Sequence, residues 1–268
     1  MKSASLIRRL FRYFYHLLLI KPGLRFHIYE TIADTESRLV IKSNLLNIIE
    51  NAQQEKINVL IVGSPGLQEL KDVPSKYLKY LNVTGVDLSE PQYVHELSTK
   101  IKVNDYKYYK MNAFDFLKER AEKNDFHIII NRWFTHHISK ENKIAFSNLC
   151  YPILKDKGFL LTIDWFIDDY NSENELFESV RKHFIYRKKY FPSQSNKLKT
   201  KNRDKPKYWW ENMHNDKDFH GGKFPSREEM LKNFNTTGFK NNKISDIADK
   251  KVIDDPHLWG HVMILSQK

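Results

Sequence analysis

Five short runs rich in β-branched and aromatic residues recur between residues 57 and 165, most of them followed by a stretch with helical spacing. "INVLIV" is too short for a helix and ends at Gly63, Pro65 and Gly66, so it reads as a buried strand closed by a turn. "YLNVTGVDLS", "YKYYKMN", "FHIIIN" and "GFLLTIDW" read as four further strands. Between them, "PQYVHELSTKI" starts on a proline suited to a first helical turn, "AFDFLKERAEK" is a short helix, and "SKENKIAFSNLCYPIL" opens on Ser139 as a cap. Ahead of the first strand, "ETIADTESRLVIKSNLLNIIENAQ" repeats Ile, Leu and Val at three- and four-residue intervals, which predicts a helix. Strands alternating with helices at these lengths imply right-handed crossovers and a parallel sheet with helices on both faces.

The pattern changes after residue 170. "ENELFESVRKHFIYRKKY" reads as a basic helix, and "FPSQSNKLKTKNRDKPK" has almost no apolar content and reads as a solvated loop. "YWWENMHNDKDFHGGKF" then gathers three adjacent aromatic residues and two histidines. "PSREEMLKNFNTTGF" is a helix with Ser226 at its entrance and Gly238 at its exit, and "KNNKISDIAD" with "LWGHVMILSQK" form a closing antiparallel pair of strands. The expected organisation is an N-terminal helical cap (1–55), an α/β core (56–170 and 225–268) and an inserted basic and aromatic segment (171–224).

Apolar residues make up 41% of the 268, enough for a sizeable core. The net charge of +11 is local. Residues 1–27 hold six basic residues and no acid, and residues 181–207 hold eleven against Asp204 alone, so the rest of the chain is net acidic. That distribution weakens a whole-protein nucleic-acid reading. The single cysteine, Cys150, excludes an intramolecular disulfide and any multi-cysteine zinc site, and its apolar surroundings read as a buried structural thiol. No run reaches the roughly 18–20 apolar residues that span a bilayer. "LIRRLFRYFYHLLLIKPG" lacks the long clean core and small-residue cleavage site of a secretory signal. It reads either as an amphipathic helix over the domain or as a peripheral membrane helix, and the expected compartment is cytoplasmic.

In an open parallel sheet, ligands gather beyond the carboxyl ends of the strands. Those ends carry Gly63, Ser64, Pro65 and Gly66; Asp87; Asn112 and Ala113; Asn131, Arg132 and Trp133; and Asp164 and Trp165. Asp87, one strand after the glycine turn, suits the two hydroxyls of a ribose. It equally suits a helix cap, a task that Ser89 can perform alone.

Taken in order, "VLIVGSPG", "TGVDLSE", "YYKMNAFDF", "FHIIINRWFTHHIS", "LKDKGFLLTIDW" and "FPSREEMLKNFNTTGF" resemble the successive motifs of class I S-adenosylmethionine-dependent methyltransferases, over roughly residues 30–165 and 225–268. The resemblance implies a Rossmann-like, seven-stranded, mostly parallel sheet in the order 3-2-1-4-5-7-6, with strand 7 antiparallel. It implies S-adenosylmethionine as cofactor and S-adenosylhomocysteine as product. Gly63 through Gly66 would lie against the methionine part, Asp87 would hold the ribose with Leu88 against the adenine, and Asn112 with Ala113 would border the adenine amino group. Asn131, Arg132 and Trp133 would lie beneath the transferred methyl. The first motif departs from the family, which usually has an acid where Ile61 stands and glycines where Pro65 and Leu67 stand.

Methyl transfer from a sulfonium is an in-line displacement that often needs a base. His136 and His137 follow the fourth strand, where they also serve as a helix-entry feature in relatives, and His214 is a further candidate base. Asp164, Trp165, Tyr208, Trp209, Trp210 and His220 are candidates for the acceptor pocket, although the three aromatics equally suit plain packing of the insert. No metal is expected, because "HNDKDFH" offers no compact scaffold for one. The expected function is methylation of an oxygen or nitrogen of a small-molecule metabolite by a monomer or homodimer. The alternatives are an RNA or tRNA methyltransferase using the basic 181–207 segment, which the absence of an "NPPY"-like tetrapeptide disfavours, and a methyltransferase-like protein that no longer methylates.

Overall fold

The computed structural model describes residues 24–52, 55–64, 66–120, 123–135, 138–165, 226–246 and 261–268, with isolated positions between 172 and 178. The elements are α1 (Leu24–Asn51), β1 (Ile57–Val62), α2 (Ser75–Leu78), β2 (Leu81–Asp87), α3 (Pro91–Ser98), β3 (Asp105–Lys110) and α4 (Ala113–Glu119). They continue with β4 (Phe126–Arg132), α5 (Lys140–Ile153), β5 (Leu154–Trp165), α6 (Arg227–Thr237), β6 (Lys240–Asp246) and β7 (His261–Gln267). The seven strands form one sheet in the order β3-β2-β1-β4-β5-β7-β6. β1 pairs in parallel with β2 and β4, and β7 runs antiparallel to both β5 and β6. This is the order that the sequence motifs imply.

Both faces of the sheet are covered, because the central strands β1 and β4 are buried at nearly every position. Leu60, Val62, Ile129 and Leu160 project to one face and pack with Phe116 of α4, Phe146 and Cys150 of α5, and Met230 and Phe234 of α6. Val59, Ile61, Ile128, Ile130 and Ile163 project to the other, where Ile41, Leu45 and Ile49 of α1 cover them at a four-residue interval. Burial also pushes the Cys150 thiol well above its ordinary range, which keeps it protonated and agrees with a structural role. α5 and α6 start at Ser139 and Ser226, whose side chains accept from Asn142 N at 3.3 Å and Glu229 N at 3.0 Å.

One element differs from the sequence expectation. α1 begins at Leu24, directly after the Lys-Pro-Gly of residues 21–23, rather than near Glu30. The crossover from β1 to β2, for which the sequence names no helix, holds among its described residues a 3-10 turn (Gln68–Leu70) and the single-turn α2. Val73 and Pro74 account for the break: the valine is buried in the α1-side core, and the proline disfavours helix before it. Arg38 of α1 ties this crossover down through an ion pair with Asp72 at 2.7 Å.

The amino edge of the sheet is closed by a row of amides. Asn104 Nδ2 donates to Asn82 Oδ1 at 2.6 Å, Asn82 Nδ2 to Asn58 Oδ1 at 3.0 Å, and Asn58 Nδ2 to the Asp125 carbonyl at 2.9 Å. The Asn58 N–H donates to His127 Nδ1 at 2.9 Å, so His127 serves as an acceptor and is held neutral. Its pKa is lowered by burial first and by Lys155 second, with Glu55 opposing. A lowered pKa in the folded state means that the unfolded chain binds more protons in the window below about pH 6.5, so stability should be full above that pH and fall as the pH drops through the folded value. Thermal melts from pH 8 to 5 should show this decline, and His127→Ala should be less stable at pH 8 with a flatter profile.

Candidate functional site

Parallel register brings the exits of β1, β2, β4 and β5 to one edge. Val62 sits opposite both Val86 and Asn131, and Arg132 sits opposite Ile163. The first exit is a left-handed turn. Gly63 has φ +69° and Gly66 has φ +77°, and the Gly63 N–H donates to the Val86 carbonyl at 2.9 Å. A Cβ on Gly63 would run into the Phe134 ring, with Cγ only 2.9 Å away. Glycine is thus required at 63 both by conformation and by contact. The Phe134 ring in turn packs on Phe146 at a centroid distance of 5.1 Å.

At the second exit, Asp87 Oδ1 accepts from the Ser89 N–H at 2.8 Å. That bond uses one carboxylate oxygen to hold the bend after β2. Neither Asp87 nor Ser89 caps α3: the cap position falls to Glu90, which makes no side-chain cap bond. The Tyr108 hydroxyl braces the same bend, 2.7 Å from the Ser89 carbonyl and 3.1 Å from that of Asp87. Its pKa is pushed up to about 12, by burial first and then by the charge of Asp87, so the hydroxyl keeps its proton and remains a donor. Beside it, Leu88 is 68% exposed, an apolar side chain turned to solvent at the rim. Asn112, exposed, is the cap of α4, with Oδ1 accepting from Phe114 N at 2.8 Å, and Ala113 is the first residue of that helix. The cap engages one lone pair of the Asn112 oxygen and leaves the second.

The exits of β4 and β5 are polar and buried. Asn131 is 0% exposed, its Nδ2 donates to Thr162 Oγ1 at 2.9 Å, and its Oδ1 takes no hydrogen bond. Thr135 Oγ1 donates to Asp164 Oδ2 at 2.6 Å, and Asp164 is 0% exposed. Trp133 has φ +57°, with its N–H bonded to the Ile163 carbonyl at 2.8 Å, and the Arg132 guanidinium lies 4.2 Å above the Trp133 ring.

Tyr108, Phe134, Thr135 and Thr162 were not singled out from the sequence, and neither was an acid at the heart of the site. Glu69, in the 3-10 turn, is 1% exposed and accepts from Ser64 Oγ at 2.5 Å through Oε1. Its Oε2 lies 2.7 Å from Arg132 Nε, a charge contact whose N–H is not aligned on the oxygen. The available signal was "LQEL", in which an acid sits between two leucines that enter the core. Buried acids are rare unless paired, so an acid there implies a partner.

Pro65, His136, His137, His214, His220, Tyr208, Trp209 and Trp210 lie outside the described residues, as do residues 1–23 and the basic 181–207 segment; Trp165 is described as the last residue of β5. Among the described residues, no three His, Cys, Asp or Glu side chains converge to hold a metal, and no helix is long and apolar enough to cross a membrane.

No family model and no curated protein sequence matches the chain. Solved structures do match. The sheet order, the antiparallel seventh strand and the glycine turn after β1 together form the fold of class I S-adenosylmethionine-dependent methyltransferases. The DszA carbon methyltransferase matches with a TM-score of 0.54 at 15% identity, over 88% of this chain and 54% of its own. The Haemonchus contortus phosphoethanolamine N-methyltransferase 2, solved with S-adenosyl-L-methionine, matches at 0.52 and 13% identity, over 84% of this chain and 52% of its own. This chain therefore spans about half the length of those two proteins. A SAM-dependent methyltransferase from Archaeoglobus fulgidus matches at 0.50 and 17% identity, over 91% of this chain and 99% of its own.

The fit of Phe134 into the space above Gly63 has a measurable cost. Gly63→Ala should destabilise the protein by about 2–4 kcal/mol, from left-handed backbone strain and overpacking together. In a Phe134→Leu background the same substitution should cost at least about 1 kcal/mol less, as a double-mutant cycle by chemical denaturation would read.

Proposed function

We propose that this chain is an S-adenosylmethionine-dependent methyltransferase acting on an oxygen or nitrogen of a small molecule. The observation that carries the reading is Asp87: a carboxylate at the exit of the strand next to the glycine turn, in a sheet of this order, with only one oxygen used by the protein's own backbone. The surrounding residues fit the cofactor. Leu88 offers an exposed apolar face where an adenine would rest. Asn131 holds a buried amide oxygen with no hydrogen bond, and a donor from a ligand's amino-acid end would satisfy it. The left-handed turn at Gly63 brings backbone close to the same place.

Bound there, the cofactor would supply an activated methyl group on a sulfonium. The chain's own part is to orient and exclude water. Asp87 and the Tyr108-braced bend would fix the ribose. Trp133, with the Arg132 guanidinium on its ring, would wall the methyl position. His136, His137 and His214 are the proposed sources of a base, and Asp164, Trp165, Tyr208, Trp209, Trp210 and His220 the proposed acceptor-side residues. The Haemonchus enzyme's name places its methyl on a nitrogen and the DszA enzyme's on a carbon, so the fold accommodates more than one acceptor atom.

Isothermal calorimetry tests the reading. S-adenosylmethionine and S-adenosylhomocysteine should both bind, and Asp87→Ala should weaken each by about 1–3 kcal/mol. Absence of binding for both at millimolar concentration would refute the cofactor assignment, and unchanged affinity in the variant would remove Asp87 from the site.

A further inference from the structure

The turn after β1 is followed by a 3-10 turn and then a one-turn helix, so no extended helical ladder holds its far end. Leu67, Leu70 and Val73 anchor it in the core, and a buried charge pair ties it to the turn and to β4. Glu69 reaches back from the 3-10 turn to the Ser64 hydroxyl inside the glycine turn, and across to Arg132 at the exit of β4. Both charged side chains are buried, Glu69 at 1% and Arg132 at 7% exposure. Taking two such groups out of water is unfavourable by several kcal/mol each, and a pair of apolar residues would pack the same space without that penalty. A buried pair is therefore weak support for stability by itself, and its geometry points elsewhere.

Strand alternation gives the side on which it acts. Ile130 lies on the α1 face, and Arg132, two residues on, projects to the same face. Ile61 lies on that face as well, and Leu67 and Leu70 flank Glu69 within the same cluster. The carboxylate contacts the turn directly through Ser64. On the opposite side of the same exit, Asn131 presents its unbonded amide oxygen. Buried polar groups thus gather where β1 and β4 leave the sheet, in register at Val62 and Asn131.

We propose that Glu69 and Arg132 form a positioning pair that holds Ser64, next to Gly63, so that the exit of β1 receives the amino-acid end of an S-adenosyl ligand; this rests on the cofactor reading above. Glu69 acts through Ser64 rather than on the reacting atoms. Its removal should therefore penalise ligands that carry the amino-acid portion and spare those that lack it.

The experiment compares S-adenosylhomocysteine with 5′-methylthioadenosine, which keeps the adenosine and the sulfur but has no amino-acid portion. Calorimetry on the full chain should show that Glu69→Gln lowers affinity for the first about tenfold or more and for the second less than twofold. Ser64→Ala leaves the ion pair in place and should give the same selective loss, so it serves as the test should Glu69→Gln fail to fold. Equal losses for both ligands, or no loss for either, would overturn the proposal. So would a lowered melting temperature with an unchanged affinity ratio, which would mark a purely structural ion pair. If the unmodified protein binds neither ligand, the cofactor reading itself falls and takes this inference with it.

Discussion

Burial of the central strands on both faces is the constraint from which the rest of the structure follows. β1 and β4 are buried at almost every position, so neither face of the sheet can meet water. Two layers must cover them, α1 with the β1–β2 crossover on one side and α4, α5 and α6 on the other. Polar side chains are thereby expelled from the strand interiors to their ends. The amino edge receives asparagines that bond to one another, while the carboxyl edge receives groups of mixed charge around a left-handed turn.

The two edges differ in how completely their polar groups are satisfied. At the amino edge each asparagine amide reaches a neighbour, and Lys56 closes the row on Asn104 Oδ1 at 2.6 Å. At the carboxyl edge the Asn131 oxygen is unbonded, Asp87 uses one oxygen, and Leu88 stands in solvent. A folded chain tolerates incomplete bonding and exposed apolar surface where a ligand completes them. The contrast is what the proposed cofactor site at the carboxyl edge rests on.

The fold was legible in the sequence because it rests on periodicity. "INVLIV" and "FHIIIN" declare strands buried on both faces, and the helical spacing between such runs declares crossovers. The sheet order came from the resemblance of the strand-end motifs, since periodicity carries no neighbour information. Asp87 was legible as well, as a carboxylate at a strand end. The charge cluster was not: Glu69 and Arg132 are 63 positions apart and meet only because β1 and β4 are neighbours in register. The short turns between β1 and β2 were equally hidden, because Leu67, Leu70 and Val73 enter the core at helical spacing while serving a turn.

The contact between Gly63 and Phe134 has a consequence for how this site can change. The ring occupies the volume that a side chain at 63 would need, and it is anchored from behind by Phe146 of α5. The glycine turn and the exit of β4 are therefore fitted as a socket and its ball. A displacement of either is communicated to the other by contact, and the segment so coupled leads directly into the two histidines of the sequence. Over evolutionary time, positions 63, 134 and 146 should exchange bulk as a set. A drift toward a larger residue in the turn would have to be preceded by a smaller one on the loop.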